Sequence, residues 1–247
     1  MAKNNNFLGF VLLKSPDWVP DLIFRTMEEK WGIVPEDTES KDNSIFVFDW
    51  QGMHISIALF PAPVPNGEAE QNAGFNYLWH GAAEAVSEHT AQIIVSVSGG
   101  NDKLEAAQTF VKVCDSCIDD DTVGIYTNRI VYEPSFYAKS AGAMNKGELP
   151  ILDLVWFGLS HAGGILSGYT MGLDNFGKHE IEVIDCKDKP GNLIGFMVNI
   201  ALYIIKGDVT LRSGETIGFS EDQNLKITLS PGVEFSDCDT LKIEYPS

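Results

Sequence analysis

The sequence predicts an α+β protein in two halves. Residues 1–142 read as a ferredoxin-like βαββαβ arrangement with an added helix and strand. Residues 143–247 read as a second α+β half, an antiparallel sheet around one buried helix. Three observations carry this prediction. Short strand-like runs alternate with helical apolar periods as far as Ser98, the stretch from Glu133 to Leu149 has no sustained apolar period, and Leu193 to Ile205 is apolar nearly all round.

Phe7 to Leu13 is an apolar run of strand length, and Ser15-Pro16-Asp17 offers an N-cap, a first-turn proline and an acidic residue for a helix start. Trp18, Leu22, Ile23, Thr26 and Met27 then form one helical face. Ser44 to Trp50 and Met53 to Phe60 have strand composition and flank Gln51-Gly52, a hairpin turn that needs glycine. Phe75, Leu78, Trp79, Ala82, Ala83 and Val86 mark a helix within Glu68 to Glu88, and Thr90 to Ser98 is again a strand. Asn101 or Asp102 can cap a third helix running to Ile118, with Thr122 to Tyr126 returning as a strand. The break between halves is placed near Gly142.

In the second half Ile151 to Leu159 reads as a strand, followed by a turn at Ala162-Gly163-Gly164 and a strand through Leu173. A turn over Asp174 to Gly177 leads to a strand Lys178 to Ile184. Pro190 opens the apolar helix, which Lys206-Gly207 ends. Val209 to Leu211, Leu225 to Leu229 and Thr240 to Tyr245 supply three more strands.

Composition narrows the function. With 44% hydrophobic and 21% charged residues, the chain of 247 has a globular makeup. Phe7 to Leu13 is too short for a signal h-region, and Leu193 to Ile205 falls short of the roughly 20 apolar residues of a spanning helix. The expectation is a cytoplasmic protein without a membrane partner. Thirty-five acidic against 17 basic residues give a net charge of −18, which opposes phosphate binding, so no nucleic-acid partner is expected. The charge is spread, with 20 acidic and 9 basic residues up to Ser140 and 15 and 8 beyond it. Such a surface either keeps the protein in solution or steers a basic protein partner. An exposed sheet edge in either half is a place where the chain can pair across a dimer axis.

Few residues invite chemistry. Cys114-Asp115-Ser116-Cys117 closes a helix, whereas a reactive CxxC opens one, and neither a second CxxC nor an HxxxH completes a zinc set. No metal is therefore expected. Gly163-Gly164 lacks the context of a nucleotide loop, and no cofactor is expected. Glu180 and Glu182 alternate onto one strand face with Lys178. Paired carboxylates of this kind can act as acid and base or hold a hard cation; the plainer reading is the solvated face of an amphipathic strand, with Lys178 relieving the repulsion. His161 ends a strand beside Ser160 and is the third catalytic candidate. Arg212, Glu215 and Thr216, in the turn Arg212-Ser213-Gly214-Glu215-Thr216, are ligand-binding candidates if that turn folds beside the glutamates, as is Tyr169, which with Trp156 could line an apolar pocket.

The stretch Gly168-Tyr169-Thr170-Met171-Gly172-Leu173-Asp174-Asn175-Phe176-Gly177-Lys178-His179-Glu180-Ile181-Glu182 resembles the bacterial domain of unknown function 4261 family. So do Arg212-Ser213-Gly214-Glu215-Thr216-Ile217-Gly218 and Leu241-Lys242-Ile243-Glu244-Tyr245, and the likeness extends upstream through Glu88 to Val97 and Leu149-Pro150-Ile151 to Trp79. The family carries no established activity, so the resemblance implies a fold and no catalytic residue. Turn glycines Gly168, Gly172, Gly177, Gly214 and Gly218 account for its motifs without chemistry. The leading expectation is a non-enzymatic binding or interaction protein of bacteria, analogous in charge and class to toxin-neutralising immunity proteins. The alternative is a hydrolase or metal-assisted enzyme using Glu180 and Glu182.

Overall fold

The computed structural model describes residues 6–220 and 222–246. The chain divides into two compact units, Met1–Leu154 and Val155–Ser247, so Gly142 lies inside the first unit. The stretch from Glu133 to Leu149 is not a bare connection. Glu133 caps the helix Pro134–Ala141, its carboxylate accepting from the Phe136 N–H at 2.9 Å, and a 3-10 turn Gly142–Lys146 leads to the short helix Ile151–Leu154. Ile151 was expected in a strand; the strand begins only at Trp156.

The first unit runs β1 (Asn6–Leu13), α1 (Pro20–Trp31), β2 (Glu36–Lys41), β3 (Ile45–Trp50), β4 (Met53–Phe60), α2 (Glu68–Ala73), α3 (Ala82–Val86), β5 (Ala91–Gly99), α4 (Lys103–Ser116), β6 (Thr122–Thr127), β7 (Ile130–Tyr132), α5 (Pro134–Ala141) and α6 (Ile151–Leu154). Its strands form one antiparallel sheet in the order β2-β3-β4-β5-β1-β6-β7. The α+β class holds, but this is not the ferredoxin-like order, which would place β1 between β4 and β5; here β5 lies between β4 and β1. The unforeseen β2 is the cause. Its sequence EDTESK is exposed throughout and has no apolar alternation to betray a strand, yet it reverses the chain ahead of β3 and so inverts the sense of the β3–β4 hairpin.

Local chemistry explains the other elements. Gln51 and Gly52 both take positive φ, 50° and 75°, as a two-residue hairpin turn requires. Asp102 caps α4, its carboxylate accepting from the N–H groups of Leu104 and Glu105. The Ser15-Pro16-Asp17 start is not used. Ser15 donates instead to Asp121 at 2.7 Å, and α1 begins at Pro20, a proline in the first turn. The helix expected over Glu68 to Glu88 is two short helices parted by a turn, since Gly81 takes φ +82° and Phe75 and Leu78 face solvent. On one side of the sheet α4 packs against β1 and β5 through Phe110, which stacks on Phe7. Residues of α2 and α3, with Leu12, Val123 and Val131, form a separate apolar cluster.

The second unit runs β8 (Trp156–Ala162), β9 (Ile165–Met171), β10 (Ile181–Cys186), α7 (Pro190–Lys206), β11 (Thr216–Ile217), β12 (Leu225–Pro231) and β13 (Asp239–Ile243). The sheet order is β11-β12-β13-β10-β9-β8, and β10 and β13 pair in parallel, so the sheet is not purely antiparallel. Val209 to Leu211 forms no strand. Helix α7 lies on β9 and β8, with Leu193 and Met197 over Gly168. It is not enclosed on all sides: Gly195, Asn199, Tyr203 and Lys206 make a solvent stripe at helical spacing. No helix among the described residues is long and apolar enough to cross a membrane.

Candidate functional site

The two glutamates sit at the start of β10, and neither faces solvent as a half-buried strand would have it. Glu180 is 8% exposed and Glu182 is 0% exposed. A buried carboxylate has to recover in hydrogen bonds what it loses in hydration, and each does so with its own set of partners. Glu180 accepts from the Thr170 hydroxyl at 2.6 Å, and its other oxygen accepts from the backbone N–H of Gly172 at 2.8 Å and of Asp174 at 3.1 Å. It therefore fastens the turn between β9 and β10. Gly172 has φ +121°, a backbone conformation open to glycine, which lets its N–H point at the carboxylate.

Glu182 fastens a different loop. One oxygen accepts from Val233 N–H at 3.0 Å and Glu234 N–H at 2.7 Å, and the other from the Thr240 hydroxyl at 2.6 Å and the Lys242 ammonium at 2.9 Å. The β12–β13 connection is thereby pinned to the sheet face opposite α7. There Phe235 meets Tyr169 edge-on at 5.7 Å, and Ser160 donates to Glu234 at 2.6 Å. Lys178 does not relieve the pair; its nearly buried ammonium binds Asp208 and Thr210 beyond α7.

The two carboxyls are driven in opposite directions. Burial pushes Glu180 from its ordinary 4.5 up to about 7, against the hydrogen bonds from Thr170, Gly172 and Asp174. Burial also acts upward on Glu182, but Thr240, Glu234, Lys242 and Val233 outweigh it and hold that carboxyl below its ordinary value. The result is two structural anchors with separate partners. No group of three metal-ligating side chains occurs among the described residues.

The remaining candidates do not converge on this strand. Arg212 is exposed and pairs with Glu215 at 3.6 Å, while the Glu215 carboxylate accepts from the Arg212 N–H at 2.8 Å, closing their own turn. Thr216 lies in β11, separated from β10 by β12 and β13, about 14 Å away at ordinary strand spacing. His161 is exposed near the end of β8 and, by strand alternation, faces away from Ser160. Tyr169 does sit next to Glu182, at the register position opposite it. Its ring lies over Gly158, where an added Cβ would come within 2.1 Å of it, so it covers the sheet there. Gly168 is likewise a strand position and not a turn: a Cβ there would meet the Met197 methyl at 2.6 Å.

In the first unit, Cys114 and Cys117 are buried at the end of α4, and burial pushes both thiols up, away from the reactive thiolate. His89, one of five histidines without metal-ligand spacing in the sequence, is structural: its Nε2 accepts from Val64 N–H at 2.9 Å, so Nδ1 carries the proton donated to the Val86 carbonyl. Asp115 binds both Lys30 and the Trp31 indole. The sequence missed the partners of Glu182 and Lys178 because Thr240, Lys242 and Asp208 lie far along the chain from the groups they satisfy. The faint signal was the alternation of Thr240 with Lys242 on an apolar strand.

Residues 169–244 match the model of a domain of unknown function, DUF4261. No curated protein and no solved structure matches the chain.

Proposed function

We propose, starting from a C-terminal region that matches the model of a domain of unknown function, DUF4261, that the protein is a cytoplasmic binding protein whose acidic surface recognises a basic protein partner. The observation that carries this reading is the fate of Glu180 and Glu182. The strongest pair of acid–base candidates in the sequence is spent on holding two loops, and what the chain presents to solvent is an excess of carboxylates with a net charge of −18. Toxin-neutralising proteins of bacteria are the class with which this charge and this α+β build agree.

The test is affinity capture with the full chain from the native cells, followed by reconstitution of each captured protein with purified components at 50 and 300 mM salt. A basic partner whose affinity falls steeply with salt is the expected result. Partners indifferent to salt and to Glu→Lys changes over the surface would exclude the electrostatic reading.

One observation favours the alternative of an enzyme: a carboxyl poised at about 7 has the proton affinity that general acid–base chemistry uses. That reading predicts a turnover abolished by Glu180→Gln. If metal-assisted, it also predicts melting shifts with Mg²⁺, Mn²⁺, Ca²⁺ or Zn²⁺ that disappear in the Glu180→Gln, Glu182→Gln variant.

A further inference from the structure

The two sheets end in four edge strands, and these differ in what they offer. β7 is three residues long and buried, with the carbonyl of Val131 already bound by the Asn76 amide at 2.8 Å. β11 has two residues. β8 has seven, but its first three, Trp156 to Gly158, are buried. β2 alone is both a six-residue strand and exposed at every position, and among the described residues nothing pairs with its outer side. Such an edge carries a row of backbone donors and acceptors without protein partners, and the group that satisfies them is another strand.

Beside this edge lies a cleft of 560 Å³ between α1 and the chain entering β2. Its apolar lining includes Phe24, which packs edge-on against Phe46 and Phe48 at 5.2 and 5.7 Å, and Pro35. Asp21, Glu28 and Glu29 stand on the helix wall. On the strand itself Glu36, Asp37 and Glu39 add three more carboxylates, opposed only by Arg25 and Lys41. A bulge between Glu36 and Glu39, with Asp37 at φ +48°, breaks the regular edge. Charge and bulge together are the devices by which edges reject indiscriminate pairing. The same charges select what can pair. A second copy would bring its own acidic β2 against this one, a like-charged match, whereas a basic strand is matched in sign.

We propose that the outer edge of β2, with its cleft against α1, receives an extended basic segment of a partner protein as an added strand, its lysines or arginines set against Asp21, Glu28 and Glu29. This rests on the reading of the protein as a binder of basic partners and assigns that binding to one edge and one conformation.

The experiment titrates the full chain, at 50 mM salt, into a fluorescent heptapeptide of alternating lysine and valine. Two versions of the peptide N-methylated at every second residue, one in each frame, and polylysine are run beside it. N-methylation removes backbone donors and leaves the charge unchanged. The expected result is saturable binding that weakens at least tenfold in one N-methyl frame and in Glu28→Lys, Glu29→Lys. Binding should hold within about twofold in Glu84→Lys, Glu105→Lys, the same charge change made at exposed sites on α3 and α4. If both N-methylated peptides bind as well as the parent, or if the two double variants weaken binding equally, strand addition at β2 is overturned while a diffuse affinity for basic chains survives. If neither the heptapeptide nor polylysine binds, the edge and the basic-partner reading fall together.

Discussion

At the scale of single residues, two glutamates two positions apart at the start of β10 have opposite electrostatic fates, and this is measurable. Glu180 in the folded protein keeps its proton up to about 7, while the unfolded chain releases it near 4.5. The folded state therefore binds more protons across that window, and stability falls as pH rises through it, by about 3 kcal/mol for a shift of that size. Glu182 has the reverse sign: its contribution is present above 4.5 and is lost as pH falls through its lowered folded value. Glu180→Gln keeps an acceptor for Gly172 and Asp174 and removes the buried charge. We expect it to flatten the slope between pH 4.5 and 7 and to gain about 1–2 kcal/mol at pH 8 in urea melts, after the loss of one hydroxyl bond. Glu182→Gln instead sets an amide against the Lys242 ammonium. It should cost about 3–5 kcal/mol at the same pH, the usual penalty for breaking a buried pair. Equal effects of the two substitutions would refute the assignment of separate roles. Gly158→Ala is expected to cost about 1–3 kcal/mol, because its methyl must displace the Tyr169 ring, and Tyr169→Ala in the same chain should recover part of the loss.

Among the elements, α4 is the most legible, with its cap, apolar face and end all written locally. Asp102→Ala should lower stability by about 1 kcal/mol, read as an earlier urea midpoint with unchanged m-value. Asp102→Asn should restore most of the loss, since an asparagine carbonyl accepts the same N–H groups. β2 is the opposite case. It exists because the chain between α1 and β3 has to turn back along an existing edge, and its residues bury nothing that a periodicity could reveal. The helix expected over Glu68 to Glu88 failed for a related reason. Its apolar positions fit one helical stripe, but Gly81 in a left-handed conformation divides the chain into two short helices that pack against each other in one cluster. β10 was expected from Lys178 and starts at Ile181; the Glu180 carbonyl accepts from the Leu241 N–H of β13 at 2.9 Å, while its side chain binds the preceding turn.

On the scale of the whole molecule, the dominant quantity is charge. An excess of eighteen carboxylates repels itself most strongly in the compact state, so added salt should stabilise the protein. Raising NaCl from 20 to 500 mM is expected to lift Tm by about 3 °C or more, equivalent to about 1 kcal/mol for a chain of this size. A Tm that is flat or falls with salt would show that ion pairs such as Lys178–Asp208 and Lys242–Glu182 outweigh the net repulsion. On the proposed strand addition, the same charge would give the β2 edge its selectivity, since sign, reach and backbone pairing act there on one segment.

The sequence by itself determined the α+β class, the Gln51-Gly52 turn, a cap for α4 at Asn101 or Asp102, the start of α7 at Pro190 and the family block around Glu180. Each of these is set by neighbours within a few residues or by the period of an apolar face, which are local quantities. Only the tertiary structure decided the strand order, the place of β2, and the meaning of Glu180 and Glu182. Alternation could put both carboxylates on one face of a strand, but whether that face is wet depends on a loop some fifty residues away folding over it, and the Thr240 hydroxyl, the Lys242 ammonium and the N–H groups of Val233 and Glu234 are what make the buried charge tolerable.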